Sequence, residues 1–223
     1  MTPSRVSTPL STGSAADFIP PKPTLPRLRE AAAGCRGCDL WVNATQTVFG
    51  AGPRGAEVML VGEQPGDQED RQGHPFVGPA GRLLDAGLEQ SGIDRSRVYI
   101  TNAVKHFKFV VIERGRRLHK KPSAGEIRAC HPWLQEEVRE VKPRVIVALG
   151  ATAAQALLGK QFRVTQHRGQ AMPSELAEAV FATIHPSAVL RAPSDAREEV
   201  RAEYFADLRS VARYLQSHRT TRA

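Results

Sequence analysis

The residue types able to do chemistry collect in four short stretches. "VKHFKFVVIERGRRLHKKP" (104–122) runs from His106 through a hydrophobic segment into a burst of arginines and lysines with His119 inside it. A neutral imidazole nitrogen is a competent nucleophile or base once a neighbour orients it. "GEQPGD" (62–67) offers Glu63 and Asp67 in a turn stiffened by Pro65, and "HPSAVLR" (185–191) offers His185 with Ser187 and Arg191 close behind. The first turn lacks the G-x-G-x-x-G spacing and the G-K-[ST] ending of nucleotide loops, which disfavours nucleotide binding. The second has the make-up of a phosphate-contacting loop. Cys35 and Cys38 form a C-x-x-C pair, with Cys130 a third thiol on a distant segment. Zinc, redox and iron-sulfur sites all use such a pair, and three ordinary buried cysteines would look the same. A thioredoxin-type role is disfavoured because the pair does not follow a first strand. A four-ligand site needs one more donor, for which His106 and His131 are the nearest candidates.

The elements that must position these residues alternate. Strands are expected within 56–66, 97–104, 143–150 and 179–186, where short apolar runs end in turns. Helices are expected at 25–33, 78–93, 123–141, 151–159 and 194–218, the third opening with Ser123 and Glu126 in capping-box spacing. The last carries an apolar stripe at Val200, Tyr204, Leu208 and Val211. Strands alternating with helices predict an α/β fold, a three-layer α/β/α sandwich around a central four-stranded parallel sheet. In such sheets ligands bind outside the strands' carboxyl ends, where "GEQPGD", "TNAVKH" (101–106), "GATAA" (150–154) and "HPSAVLR" all fall.

Composition bounds the reading. The chain has 223 residues, 41% hydrophobic and 24% charged, with a formal net charge of +8. That length suits one domain, and no apolar run approaches the roughly 20 residues of a membrane helix. The positive balance makes an anionic polymer a plausible partner. Three cysteines exclude complete internal disulfide pairing and fit a reducing compartment, so a cytoplasmic location is expected. Residues 1–24 are rich in Ser, Thr, Pro and Ala without an apolar period and read as a disordered tail, leaving 25–223 as a single domain. No secretory signal and no internal repeat are evident.

Taken together, "GEQPGDQEDRQGHPFVGPAGRLLD", "TNAVK" and "HPSAVLR" resemble the uracil-DNA glycosylase superfamily, particularly its iron-sulfur family 4 branch, over a span from about Cys35 to the final helix. Two departures are informative: His106 stands where ordinary family 4 members carry a cysteine, and a basic loop ending in "RRLH" is inserted. Both features look like the uracil-DNA glycosylase X group, whose members bind uracil-DNA irreversibly through a loop histidine.

The resemblance implies a 4Fe-4S cluster on Cys35, Cys38, His106 and Cys130, with zinc on the same four ligands as the alternative. It implies uracil-containing DNA as partner, single-stranded by preference, and a monomer. Phe76 would stack on the flipped base and Asn102 would read its edge, since an amide both donates and accepts. Gln64 would line the pocket and Asp67 orient the turn. His185 would donate to the departing uracil oxygen, and His119, with Glu63 positioning it or accepting its proton, would attack the sugar C1′. Arg116, Arg117, Lys120, Ser187 and Arg191 would contact the DNA backbone. A conventional hydrolytic glycosylase and a noncatalytic DNA-binding module are the alternatives.

Overall fold

The computed structural model describes residues 13–218. α1 (Leu25–Ala33) starts at Thr24, whose hydroxyl accepts from the Arg27 N–H, with Pro26 in the first turn where a missing N–H costs nothing. There follow β1 (Val58–Gly62), α2 (Asp67–Gln72), α3 (Pro79–Ser91) and β2 (Val98–Asn102). A short hairpin, β3 (Phe109–Val111) and β4 (Arg117–His119), precedes α4 (Ala124–Val141), β5 (Val145–Leu149) and α5 (Ala151–Leu158). α6 (Val164–His167), β6 (Ala179–Thr183), α7 (Pro186–Leu190) and α8 (Arg197–Ser217) complete the described chain. The capping box expected at Ser123 and Glu126 opens α4.

The main sheet is four-stranded and parallel in the order β2-β1-β5-β6, with Gly62 beside Asn102 at the carboxyl edge. Every residue of these strands is buried because helices cover both faces, which is why the strands read as continuous apolar runs. Alternation sends Leu60, Ile100 and Val147 to the layer of α3, α7 and α8, and Met59, Tyr99 and Ile146 to the layer of α1, α4, α5 and α6. The predicted stripe of α8 faces the first layer, with Tyr204, Leu208 and Val211 buried and Val200 packed at its edge. The three-layer sandwich is therefore present as expected.

A third cluster lies beside the sandwich. Leu28, Ala32, Phe49, Val104 and Trp133 gather around the three cysteines. Here the expected tail needs correction. Residues 1–12 lie outside the described residues, but Ala15–Phe18 form a 3-10 turn capped by the Ser14 hydroxyl, and Ala15 is fully buried. A side chain on Gly37 would fall 2.7 Å from the Ala15 nitrogen, so this turn docks by backbone contact. That mode of packing escapes any count of large apolar residues.

Candidate active site and cysteine cluster

At the carboxyl edge of the sheet a cleft of about 580 Å³ is lined by Glu63, Asn102, His119 and His185, among others. Its floor is β2. Asn102 is buried, and its Oδ1 has no hydrogen-bond partner, an acceptor waiting for a donor from elsewhere. Gly62 is required opposite it: a Cβ there would lie 2.3 Å from that oxygen and 2.8 Å from the Phe76 ring. Phe76 itself has φ of +57°, a conformation costly for a bulky side chain. Its ring stacks at 5.9 Å on His185. The backbone beneath Asn102 is fixed by a network that sequence inspection missed. Lys105 Nζ donates to the Asn102 carbonyl (2.7 Å), to Thr101 Oγ1 (2.6 Å) and to Glu137 Oε2 (2.5 Å). Both charges are fully buried, and Glu137 also accepts from Gly50 N–H, Tyr99 OH and Thr101 OH.

The opposite walls carry the histidines. His185 caps α7: its Nδ1 accepts from the Ser187 N–H (3.1 Å), with the Ser187 hydroxyl at 2.7 Å. Burial holds its pKa down at about 4, so at neutral pH the ring is uncharged. With Nδ1 accepting, the one ring proton sits on Nε2, which makes His185 a hydrogen-bond donor there. His119, half-exposed, ends β4 with Nε2 3.3 Å from Glu63 Oε1. The other Glu63 oxygen accepts from the Thr152 hydroxyl. Burial by itself would raise the Glu63 carboxyl, but the hydrogen bonds to His119 and Thr152 outweigh it and hold the group below the usual carboxylate range.

The hairpin that carries His119 is held by side chains. Gln64 lines the cleft, yet its amide is committed to the hairpin base: Nε2 donates to the carbonyls of Lys108 (3.2 Å) and Lys120 (3.1 Å), and Oε1 accepts from Lys108 N–H (3.1 Å). Arg117 is not free for phosphate. It is mostly buried and pairs with Asp67 and, at 2.6 Å, with the fully buried Asp70, while stacking over Phe107 and Phe109. Asp67 accordingly lies outside the cleft lining, joined to Arg117 and Arg71. Sequence shows charges and not their partners, and these two pair with each other across 50 positions. Ser187, Arg191 and Lys121 line the cleft; Arg116 and Lys120 are exposed on the hairpin outside it. The Gly66 N–H of the first turn is taken by Glu69 and so is closed to a ligand.

A family model described as the uracil DNA glycosylase superfamily matches residues 49–209. The chain belongs to the uracil-DNA glycosylase superfamily. Among similar proteins, a type-4 uracil-DNA glycosylase of Thermotoga maritima is 36% identical over 188 residues, covering 84% of this chain and 92% of the relative. A type-4 uracil-DNA glycosylase of Sulfurisphaera tokodaii is 34% identical over 197 residues, covering 85% of each chain. The crystal structure of Pedobacter heparinus SMUG2 superimposes with a TM-score of 0.51 at 13% identity, over 71% of this chain and 76% of that one, a likeness of fold alone.

This superfamily member keeps its cysteines together in the third cluster. Cys35 Sγ accepts from the Trp133 indole N–H (3.3 Å) and Cys130 Sγ from the Lys105 N–H (3.2 Å). Burial raises the Cys38 thiol and pushes Cys130 up to about 12. Donors aimed at sulfur in an apolar setting suit thiolates that a bound cation would keep ionised. His106 is buried, which brings its pKa down to about 4 and keeps it neutral. Thr47 gives its own proton to the Ala32 carbonyl (2.8 Å), so the 2.9 Å contact with His106 Nε2 is donated by the ring and leaves Nδ1 with the lone pair. Among the described residues, no three of His, Cys, Asp and Glu are grouped closely enough for a single metal ion. No described helix is long and apolar enough to cross a membrane.

Proposed function

We propose that the protein is a uracil-DNA glycosylase that becomes covalently joined to the abasic site it makes, as a member of the uracil-DNA glycosylase X group. The observation that carries this reading is His119 at the cleft mouth, paired with Glu63 and facing the same space as Asn102. A flipped uracil entering the cleft would stack on Phe76 and pair its N3–H with the orphan Asn102 Oδ1 and a carbonyl with the amide N–H. Cytosine presents the reverse pattern. As the C1′–N1 bond breaks, its electron pair leaves with uracil, and His185 Nε2–H donates to the oxygen that gathers the negative charge. The sugar cation is then captured by the lone pair of the His119 ring nitrogen that does not face Glu63. The new C1′–N bond makes the ring cationic, and the proton on the other nitrogen passes to the Glu63 carboxylate. Uracil takes its proton from solvent, and the alkylated imidazole stays attached because it is a poor leaving group.

Arg191 and Lys121 at the rim, with Arg116 and Lys120 on the hairpin, are free to meet phosphates. Cys35, Cys38, Cys130 and His106 through Nδ1 would hold a 4Fe-4S cluster. A polynuclear cluster takes one ligand per iron and so spaces its ligands more widely than zinc does, in keeping with the absence of a single-ion grouping among the described residues. When bound it would cross-link α4, the β2–β3 loop and the segment after α1. A brown protein with broad visible absorbance supports it; a colourless protein with stoichiometric zinc refutes it.

The type-4 names of the relatives favour a second reading, hydrolysis with turnover in which Glu63 activates water. The test mixes the protein with uracil-containing single-stranded DNA and runs a denaturing gel. A heat-resistant shifted band, absent in His119→Ala, supports the covalent reading. Multiple turnovers with free abasic product support the second. Salt-sensitive binding without either product leaves a noncatalytic binding module.

A further inference from the structure

Among the described residues, Glu63 is the one carboxylate paired with His119, and nothing covalent keeps its two oxygens in place; its orientation must come from whatever holds the oxygen turned away from the ring. That partner is the hydroxyl of Thr152, 89 positions along the chain, in the first turn of α5. Thr152 is buried, and the β-branch restricts the rotation of its hydroxyl. The hydroxyl donates to Glu63 Oε2 while Oε1 faces His119 Nε2. The residue belongs to "GATAA", a strand-end stretch that no role above has absorbed.

We infer that Thr152 is a positioning residue for the nucleophile: by occupying one Glu63 oxygen it aims the other at His119. The inference rests on the covalent reading. Without the hydroxyl the carboxylate is free to rotate away, His119 loses the group that orients it and takes its proton, and the sugar cation is captured by water in its place. Bond cleavage itself, served by Asn102 and His185, is untouched. Thr152 therefore acts on how cleavage events partition between adduct and free abasic product.

The charged or titratable groups that face Glu63 are His119 on β4 and His185 before α7, with Arg191 beyond His185. A carboxylate that swings away also changes what His119 faces, so the readout is the partition between adduct and free abasic product and its rescue by serine. A hydrogen bond to a charged group corresponds to about tenfold in an equilibrium constant.

Thr152→Val keeps the shape and removes the hydroxyl; Thr152→Ser keeps the hydroxyl. Single-turnover reactions with uracil-containing single-stranded DNA are followed at neutral pH, scoring total uracil released and the fraction trapped as heat-stable adduct. The valine variant is expected to release uracil at close to the wild-type rate and to trap about tenfold less relative to free abasic product. Serine restores trapping. If valine traps the same fraction as wild type, the positioning role is overturned while the covalent reading stands. If valine and serine lose uracil release and trapping in parallel, Thr152 is a packing residue and the inference is again overturned. A wild-type protein that releases uracil and yields no heat-stable band refutes the covalent reading, and this inference with it.

Discussion

Asn102 and His119 face one cleft from supports of opposite kinds. Asn102 ends an edge strand that is paired with β1 and packed on both faces, over a buried lysine and glutamate joined by a 2.5 Å contact. His119 ends a three-residue strand of a two-stranded hairpin, half-exposed, with Val110, Val111 and Leu118 turned to solvent. An isolated hairpin of that size is marginal in water, so its position depends on Arg117 clasping Asp67 and Asp70 and on the Gln64 amide. The contrast teaches a division of labour. On the proposed reading, base recognition is built into the core, whereas the group that would react with the sugar is delivered by an arm that side-chain hydrogen bonds can release.

The sharpest way to break this contrast is Lys105→Met, which leaves Glu137 buried and unpaired. It is expected to lower global stability by about 3–5 kcal/mol, measured by urea unfolding, and to impair uracil release and trapping together. Acidification attacks the wall that carries His185. His185 has a folded pKa of about 4 against an ordinary value of 6.5, so between those values the unfolded chain binds more protons than the folded one. Stability gained from this group is therefore complete above about pH 6.5 and declines as pH falls toward 4. His185→Asn, which has no such titration, should flatten that slope in a pH series of unfolding curves.

Gln64→Ala tests the arm alone. Its three hydrogen bonds are part-buried, and their loss should destabilise the hairpin by about 1–2 kcal/mol with little change in the global unfolding midpoint. Faster hydrogen exchange confined to residues 108–120, with trapping reduced more than uracil release, is the expected signature; uniform loss across the sheet contradicts it. The smallest effects belong to Arg116→Ala and Lys120→Ala. Each should reduce the slope of log affinity against log salt by about one while leaving the preference for uracil intact.

Much of the fold was legible because burial on both faces writes each strand as an unbroken apolar run, and because Ser123 with Glu126 announces a helix in purely local terms. The cleft was legible in outline for a related reason: a parallel sheet gathers its strand ends, so Glu63, Asn102 and His185 had to lie near one another. Less legible were the residues whose meaning depends on a partner. Arg117 and Lys120 sit in one basic run, yet only Arg117 finds two aspartates, 50 and 47 positions away. Lys105 looked like any polar residue after a strand, and Glu137 like one acid among several on an amphipathic helix, until packing buried both. The turn at Ala15 was missed because it docks through glycine and alanine, which carry almost no apolar signal.

What the amino-acid sequence determined by itself is the set of local choices: where strands stop, which helices are capped, and which chemistries wait at the edge of the sheet. Those follow from hydrophobic period and turn chemistry, which act over a few residues. Only the tertiary structure decided which Glu63 oxygen meets His119 and which meets Thr152, that Gln64 braces the hairpin, and that Asp67 turns away from the cleft toward Arg117. Hydrogen bonds and ion pairs act over a few ångströms, and such distances between residues far apart in the chain exist only once the layers have packed.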